Sequence, residues 1–390
     1  MNEILILEGA RTPFGTFGGS LKDTDSTQLG VIASKEALKR SNVDAKDIDL
    51  TVVGNVIHSA KNSPYISRHI ALNVGIPITS PALTVNRLCG SGLQAVVSVG
   101  QSIRLGEGET GLAVGSENMS MAPFALRGSR FGMKKPDLDD TLWSALTDEF
   151  TGEGMGMTAE NLSDQYEISR EEQDQFALES HLRAADARKN GRLAEEIVPV
   201  EIQTKKGILI VDQDEHIREN STIEGLAKLR PAFKTDGTVT AGNASGINDG
   251  AGAVVLASET FVNSHNSKPI ARIVSWGVAG VDPSIMGIGP VPAIQMALKR
   301  ADMTIQDIDL FEINEAFAAQ YLAVEKELGL DRSITNVNGG AIALGHPVGA
   351  SGTRILYSLI LELKRRHKKY GVASLCIGGG QGIATVVEVF

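Results

Sequence analysis

The sequence predicts a layered α/β fold built from two copies of one unit, with a third segment inserted into the first copy. Three observations carry this prediction. Strands and helices alternate through the first third of the chain, as in α/β domains. A second observation is an internal match at a spacing of 260 residues. Residues 37–50 read ALKRSNVDAKDIDL and residues 297–310 read ALKRADMTIQDIDL, identical at eight of fourteen positions. At the same spacing Ser91-Gly92 falls on Ser351-Gly352 and Gly111 on Gly371, and nearby Val85-Asn86 resembles Val337-Asn338. Solenoids repeat every ~20–50 residues and many times over; one repeat at this distance implies two similar domains facing each other. The third observation is that residues 120–247 carry little of the repeated pattern. The expected organisation is a first core domain over 1–119 and 248–269, an inserted domain over 120–247, and a second core domain over 270–390.

The elements follow in order. Residues 4–7 are an apolar strand, and the run from Arg11-Thr12-Pro13-Phe14-Gly15 is a loop. Residues 27–40 form an amphipathic helix with Leu29, Ile32, Ala33, Ala37 and Leu38 on one face. A strand is expected at 50–53, a helix at 67–74, and a strand end at 83–85. Residues 93–105 are apolar on almost every side, the mark of a buried helix. A strand follows at 110–114. In the inserted segment, Ser169-Arg170-Glu171-Glu172 is a capping box that opens a helix over 169–190. Short strands are expected at 197–200 and 207–211.

Composition bounds the function. The chain has 390 residues, 42% hydrophobic and 22% charged, which suits a globular protein of two or three domains. No stretch approaches the ~20 apolar residues of a membrane span. The net charge of −10 argues against nucleic-acid and anionic-membrane partners. Residues 1–7 lack a basic region and a cleavage site and read as a strand, not a leader. With only two cysteines, a disulfide framework is not expected and a reducing, cytoplasmic setting is. HExxH and CxxC patterns are missing, so no metal site is expected.

Chemistry concentrates in four glycine-rich stretches, each placed at a strand end or helix start. The first is Asn86-Arg87-Leu88-Cys89-Gly90-Ser91-Gly92. Cys89 there sits at the N-terminus of the buried helix, where unpaired N–H groups and the helix dipole favour thiolate and can hold an oxyanion. A buried cysteine is more often inert, so Cys89 alone decides nothing. The others are AGNASGINDGAG at 241–252, NGGAIALGHPVGASG at 338–352 and CIGGGQG at 376–382. They bring His346, fixed between Gly345 and Pro347, and Cys376 at the end of an apolar strand. Asn314 lies at another strand end, in Glu312-Ile313-Asn314-Glu315-Ala316-Phe317. Two thiols, an imidazole and an amide thus lie at strand ends of a duplicated α/β fold, where such ends converge on a crevice.

These motifs resemble the thiolase family, and its acetyl-CoA acetyltransferase branch in particular. The resemblance rests on Leu88-Cys89-Gly90-Ser91-Gly92, Ala241-Gly242-Asn243-Ala244-Ser245-Gly246, Asn314-Glu315-Ala316-Phe317, Gly345-His346-Pro347 and Cys376-Ile377-Gly378-Gly379-Gly380, with Arg11-Thr12-Pro13-Phe14-Gly15 as a further match. It runs from end to end and implies a duplicated α/β core with an inserted loop domain. It implies that Cys89 takes the acyl group from a CoA thioester, that His346 activates it, and that Cys376 is the second acid/base. Asn314 would position a water in the enolate oxyanion site, and Gly378 and Cys89 would supply N–H groups to the other.

By the same resemblance Ser245, Arg218, Phe233, Ala244, Phe317 and Met286 bind substrate. CoA thioesters are then substrates, and no cofactor is expected. The implied reaction joins two acetyl-CoA into acetoacetyl-CoA and CoA. A 3-ketoacyl-CoA thiolase acting on longer chains is the alternative. Intact Cys89, His346 and Cys376 argue against a non-catalytic CoA-binding subunit. One departure bears on chain length: many acetoacetyl-CoA-forming members carry a histidine where this chain has Gly154, whereas Gly349-Ala350-Ser351-Gly352 resembles the acetyl-specific branch. Assembly is expected to be a homotetramer, through Phe124, Leu126, Phe131 and Met133 of the 121–141 segment, which are many apolar side chains to leave on a monomer's surface.

Overall fold

The computed structural model of the chain describes residues 3–132, 135 and 137–390. One mixed sheet runs through it. Its long strands are β1 (Ile4–Arg11), β2 (Leu50–Gly54), β3 (Ala82–Val85), β4 (Thr110–Asn118), β5 (Asn248–Ser258), β6 (Ala271–Gly280), β7 (Leu310–Ile313), β8 (Tyr370–Ile377) and β9 (Gln381–Val389). Their order across the sheet is β7-β8-β9-β6-β1-β5-β4-β2-β3, with a two-residue strand, Gly15–Thr16, added at β5.

This order mirrors about the seam between β1 and β6, where Leu5 faces Arg272 and Ile6 faces Ala271. Outward from the seam, β1-β5-β4-β2 on one side matches β6-β9-β8-β7 on the other. The pairings match as well: two antiparallel, then one parallel, in each half. Even the register shifts correspond, between Ile6 and Glu8 in β1 and between Ile273 and Ser275 in β6. Where β3 lies beside β2, a single parallel bridge from Phe311 to Thr335 lies beside β7. The duplicated α/β core is therefore a property of the topology as well as of the sequence.

The longer helices are α1 (Ser26–Ser41), α2 (Ser91–Leu105), α3 (Met155–Gln165), α4 (Arg170–Lys189), α5 (Pro290–Ala301), α6 (Ala318–Leu328) and α7 (Ser351–Arg365). α1 and α5 are counterparts, each closed by a left-handed residue, Asn42 and Asp302. α2 and α7 are counterparts too. Each packs on strands of both halves and on the other helix, so they form a central layer. That is why β4 and β5 are buried along their whole length: strands covered on both faces lose the alternation of a half-wet sheet. Leu93, Val96, Val97, Val99 and Ile103 of α2 and Ile355, Leu356, Leu359, Ile360 and Leu363 of α7 share one apolar core with both halves.

The two central helices meet at their first turns, Gly92 against Gly352. A Cβ on Gly92 would lie 2.8 Å from Gly349 O and 2.9 Å from Thr353 N; one on Gly352 would lie against the Leu93 nitrogen. Backbone meets backbone here, and only glycine leaves the room.

Between β4 and β5 the described residues form three two-stranded hairpins and helices α3 and α4. The capping box of α4 is formed as expected, Ser169 with Glu172. The strand expected at 197–200 is displaced. Pro199 has no N–H to give, Ile197 makes only a single bridge to Arg11, and the strand runs over Val200–Thr204. Arg11 itself ends β1 rather than opening a loop. Its buried guanidinium bonds Glu196 at 2.7 Å and Asp214 at 2.6 and 2.8 Å, which fastens the inserted segment to the core. The hairpin Phe124–Arg127/Asp137–Asp140 projects outward, with Phe131 87% exposed and Phe124 63%. Met133 lies outside the described residues.

The helix crossing yields a prediction. Gly352→Ala forces α2 and α7 apart and lowers unfolding stability by about 1–3 kcal/mol, the usual cost of overpacking. Urea denaturation monitored by circular dichroism checks it; an unchanged midpoint would mean that the crossing is not tight.

Candidate active site

Cys89 lies in the short link between β3 and α2. The link is bonded across itself. Asn86 Oδ1 accepts the Leu88 N–H at 2.9 Å, and the Ser91 hydroxyl accepts from Arg87 N and donates to Leu88 O. Gly90 N–H and Ser91 N–H close the turn on Arg87 O and Leu88 O. These bonds hold Leu88 at φ +45°, a left-handed conformation that costs a branched side chain energy and recurs at functional sites. Cys89, which follows, packs against the apolar cluster of Ile57, Met119, Leu142 and Val348.

From the other copy, the end of β8 brings Cys376 and Gly378. The Gly378 N–H points at the Cys89 sulfur, and the two thiols are close enough for each to sense the other's charge. The helix start was expected to favour thiolate at Cys89. Burial outweighs it: the thiol is pushed up to about 11, with the Glu117 carboxylate adding to the rise and the Gly378 and Cys89 N–H groups opposing it. Burial raises the Cys376 thiol too. Both sulfurs are thiols at rest.

His346 is held from three sides. Its N–H donates to Asn248 Oδ1 at 3.0 Å. Gly345, at φ +99°, turns the chain against Asn248, whose side chain fills the place of a Cβ. Ring Nδ1 lies 2.6 Å from Ser351 Oγ, whose hydroxyl donates to Pro347 O at 3.0 Å. That hydroxyl has one hydrogen, so Nδ1 carries its own and Nε2 keeps a lone pair. Asn314 Nδ2 reaches Nε2 at 3.4 Å. Burial, with Arg354 nearby, lowers the imidazole to about 3 and keeps it neutral. No hydrogen bond joins His346 to Cys89 among the described residues.

The expected substrate residues divide into two groups. Ala244, Met286 and Phe317 pack in one apolar cluster with Cys376, and Met155 packs against it. Ala244 bridges Phe317, and Ser245 N–H donates to Ala316 O at 2.9 Å, so the 241–252 loop runs beside the Asn314–Phe317 segment. Phe233 stands edge-on to Phe317 at 6.1 Å. Arg218 is not in that cluster. It lines a groove of about 600 Å³ with Arg188, Ser221, Thr222 and Leu229, and its N–H donates to His181 Nδ1 at 3.2 Å.

Sequence reasoning missed several residues. Ser351 and Asn248, which orient His346, were read as parts of the repeat and of the glycine-rich stretches, with no role at the histidine. Met155, whose Sδ would lie 3.0 Å from a Cβ on Gly378, was read only beside Gly154. Glu117 was missed outright, although a glutamate inside the buried run of β4 is itself a signal.

A raised thiol has a kinetic signature. The thiolate is the nucleophile, and well below its pKa its fraction rises tenfold per pH unit. Alkylation of Cys89 by iodoacetamide, followed by mass spectrometry of its peptide, should climb steadily from pH 7 to 9. A plateau below pH 8 would show a thiolate already present at rest.

Comparison with known proteins agrees with this geometry. The thiolase N-terminal domain model matches residues 4–260 and the thiolase C-terminal domain model residues 267–389. The mitochondrial 3-ketoacyl-CoA thiolase of Homo sapiens is 53% identical over 388 residues, 99% of this chain and 98% of the relative. An acetyl-CoA acetyltransferase of Syntrophomonas wolfei is 50% identical over 393 residues, 99% of each. The crystal structure of the human mitochondrial 3-ketoacyl-CoA thiolase superposes with a TM-score of 0.98 at 52% identity, covering 100% of this chain and 99% of that one. The Bacillus anthracis acetyl-CoA acetyltransferase structure does so with 0.97 at 47%, covering 100% and 99%. With both family models spanning nearly the whole chain and relatives at half identity over its full length, the chain belongs to the thiolase family and is an acyltransferase.

Proposed function

We propose that the chain joins two acetyl-CoA molecules into acetoacetyl-CoA and CoA, reversibly, through an acetyl group carried on Cys89. One observation carries this reading: two thiols from the two copies lie close enough to sense each other's charge, and a neutral imidazole whose Nε2 faces Asn314 stands two residues from Val348, which packs in the cluster that holds Cys89. In the first half, the Cys89 sulfur attacks the thioester carbonyl while its proton passes to His346 Nε2. The carbon–sulfur bond to CoA breaks, and CoA leaves with the proton of Cys376, so His346 holds the Cys89 proton and Cys376 is left as thiolate. In the second half, that thiolate takes a proton from the methyl of a second acetyl-CoA. The resulting enolate attacks the acetyl carbon, the bond to Cys89 breaks, and the Cys89 sulfur takes its proton back from His346. Two acyl transfers thereby replace one hard carbon–carbon bond formation.

Donors serve the charges that develop. The Gly378 N–H already aims at the Cys89 sulfur and, with the Cys89 N–H, suits the oxygen of the acetyl-enzyme. Asn314 is buried, and its Oδ1 accepts from no described residue, which supports a role in holding a water for the enolate oxygen. The groove at Arg218 suits the phosphates and adenine of CoA, with Ser245, Phe233 and Ala244 along the pantetheine path and Met286 and Phe317 around the acyl group.

A second reading is cleavage of longer 3-ketoacyl-CoA substrates. Gly154 favours it. It caps α3 just before Met155, and a Cβ there would meet nothing nearer than Leu146 O at 3.8 Å, so this edge of the site is open. Several relatives also bear the 3-ketoacyl-CoA thiolase name. Cytoplasmic residence and a homotetramer built through the outward hairpin belong to the same proposal.

Two measurements test it. Incubation with acetyl-CoA should add one acetyl group to Cys89; Cys89→Ala should lose both adduct and turnover, while Cys376→Ala keeps the adduct. An adduct on Cys376 in the parent would reverse the assignment. A series of 3-ketoacyl-CoA thioesters decides chain length: kcat/KM highest for acetoacetyl-CoA supports the first reading, and a rise with length the second.

Light scattering tests the assembly. About four chain masses supports a tetramer through the hairpin. A particle of two 41.3 kDa chains would mean that the hairpin assembles nothing.

A further inference from the structure

Glu117, near the end of β4, is fully buried. Its Oε1 accepts from Asn55 Nδ2 at 3.0 Å and Ile57 N at 3.1 Å; its Oε2 accepts from Val56 N at 3.0 Å and Gly349 N at 3.1 Å. Four N–H donors surround it. Burial and Asp249 push its pKa up to about 8 and the backbone donors oppose the rise, but a protonated carboxyl would set its hydrogen against a donor. The site is built for the carboxylate. No cation among the described residues is bonded to it.

What it joins is the point. The donors at 55–57 belong to the first copy, and Gly349 to the second, three residues beyond His346. Val56, Ile57 and Val348, which flank the bonded groups, pack in the cluster that holds Cys89. At the 260-residue spacing, Gly349 is the counterpart of Cys89 itself. The two turns before α2 and α7 are equivalent places, and only one carries a nucleophile. At the other, a Cβ would lie 2.7 Å from Glu117 Oε2 and 3.0 Å from Ser116 O. Glu117 fills the position that a second thiol would need, and uses the N–H found there.

We propose that Glu117 is a positioning residue of this site: its carboxyl group locks the loop carrying His346 against the loop beside Cys89. The proposal rests on the roles given above to Cys89 and His346. The other charged or titratable groups near the sulfur are Cys376 from β8, His346, and Arg87 on its own turn. Arg87 is engaged with Gln94 at 2.9 Å and Gln381 at 3.0 Å. Asp249, from β5, faces Glu117 and is occupied by Ser120. The charge of Glu117 adds to the burial that disfavours the Cys89 thiolate.

Two variants test the support. Glu117→Gln keeps the size and sets an amide NH2 against backbone donors. Glu117→Asp is too short for all four bonds. Both should lose kcat, roughly tenfold, with KM for CoA within about twofold, because the His346 loop shifts and the CoA groove does not. Unchanged kcat in both overturns the proposal, as does a KM for CoA that rises as far as kcat falls, since general loosening would explain that. If Glu117→Gln does not fold, Gly349→Ala probes the same contact from the other loop, and kcat at the parent value there overturns the positioning role. Failure of the underlying reading looks different: acetyl-CoA would then label the parent at a residue other than Cys89, whatever the variants do.

Discussion

The structure depends on the close crossing of α2 and α7. Two helices from two copies of one unit meet with backbone against backbone, through Gly92 and Gly352. That approach sets the turn before each helix beside the strand ends of the other copy. The Cys89 turn thereby meets Gly378 and Cys376 of β8, and the His346 loop meets Glu117 of β4. Neither copy holds the whole site. The symmetry of the sheet about the β1–β6 seam is what lets each half complete the other.

The second controlling factor is burial. A helix start offers a partial positive charge, and for an exposed cysteine that would decide the matter. Here the sulfur, the imidazole and the second thiol are all shifted toward their neutral forms by loss of water. A neutral thiol beside a neutral imidazole is uncharged at rest and builds charge only as the thioester reacts. Donors fixed in advance serve such charge best, since they need no rearrangement at the moment of reaction. Ser351 sets the ring of His346 and Asn248 holds its backbone, while Gly345 gives the chain the turn that presents it.

Much of this was legible in the residues. The repeat ALKR…DIDL marks the two outer helices and the entries to β2 and β7, and the topology repeats in the same order. The apolar run after Cys89 gave the buried helix, and the strand-end placement of Cys376 and Asn314 follows from their flanking apolar segments. What was not legible is local or long-range. Pro199 displaced a strand because an apolar run was read without its missing donor. The charge state of Cys89 was misjudged because the helix dipole is visible in a sequence and the depth of burial is not. Glu117 went unnoticed because its partners lie 60 and 232 residues away along the chain. Arg218 was readable as a binding residue only through resemblance, and it is not in the cluster around Cys376.

The central claim is that one reacting centre is assembled from both copies. A crystal structure of the protein after reaction with acetyl-CoA tests it most directly. The account predicts an acetyl group on Cys89 Sγ, with its carbonyl oxygen within hydrogen-bond distance of two N–H groups, Cys89 from the first copy and Gly378 from the second. An acetyl oxygen that engages neither Gly378 nor any other group of the second copy would contradict it.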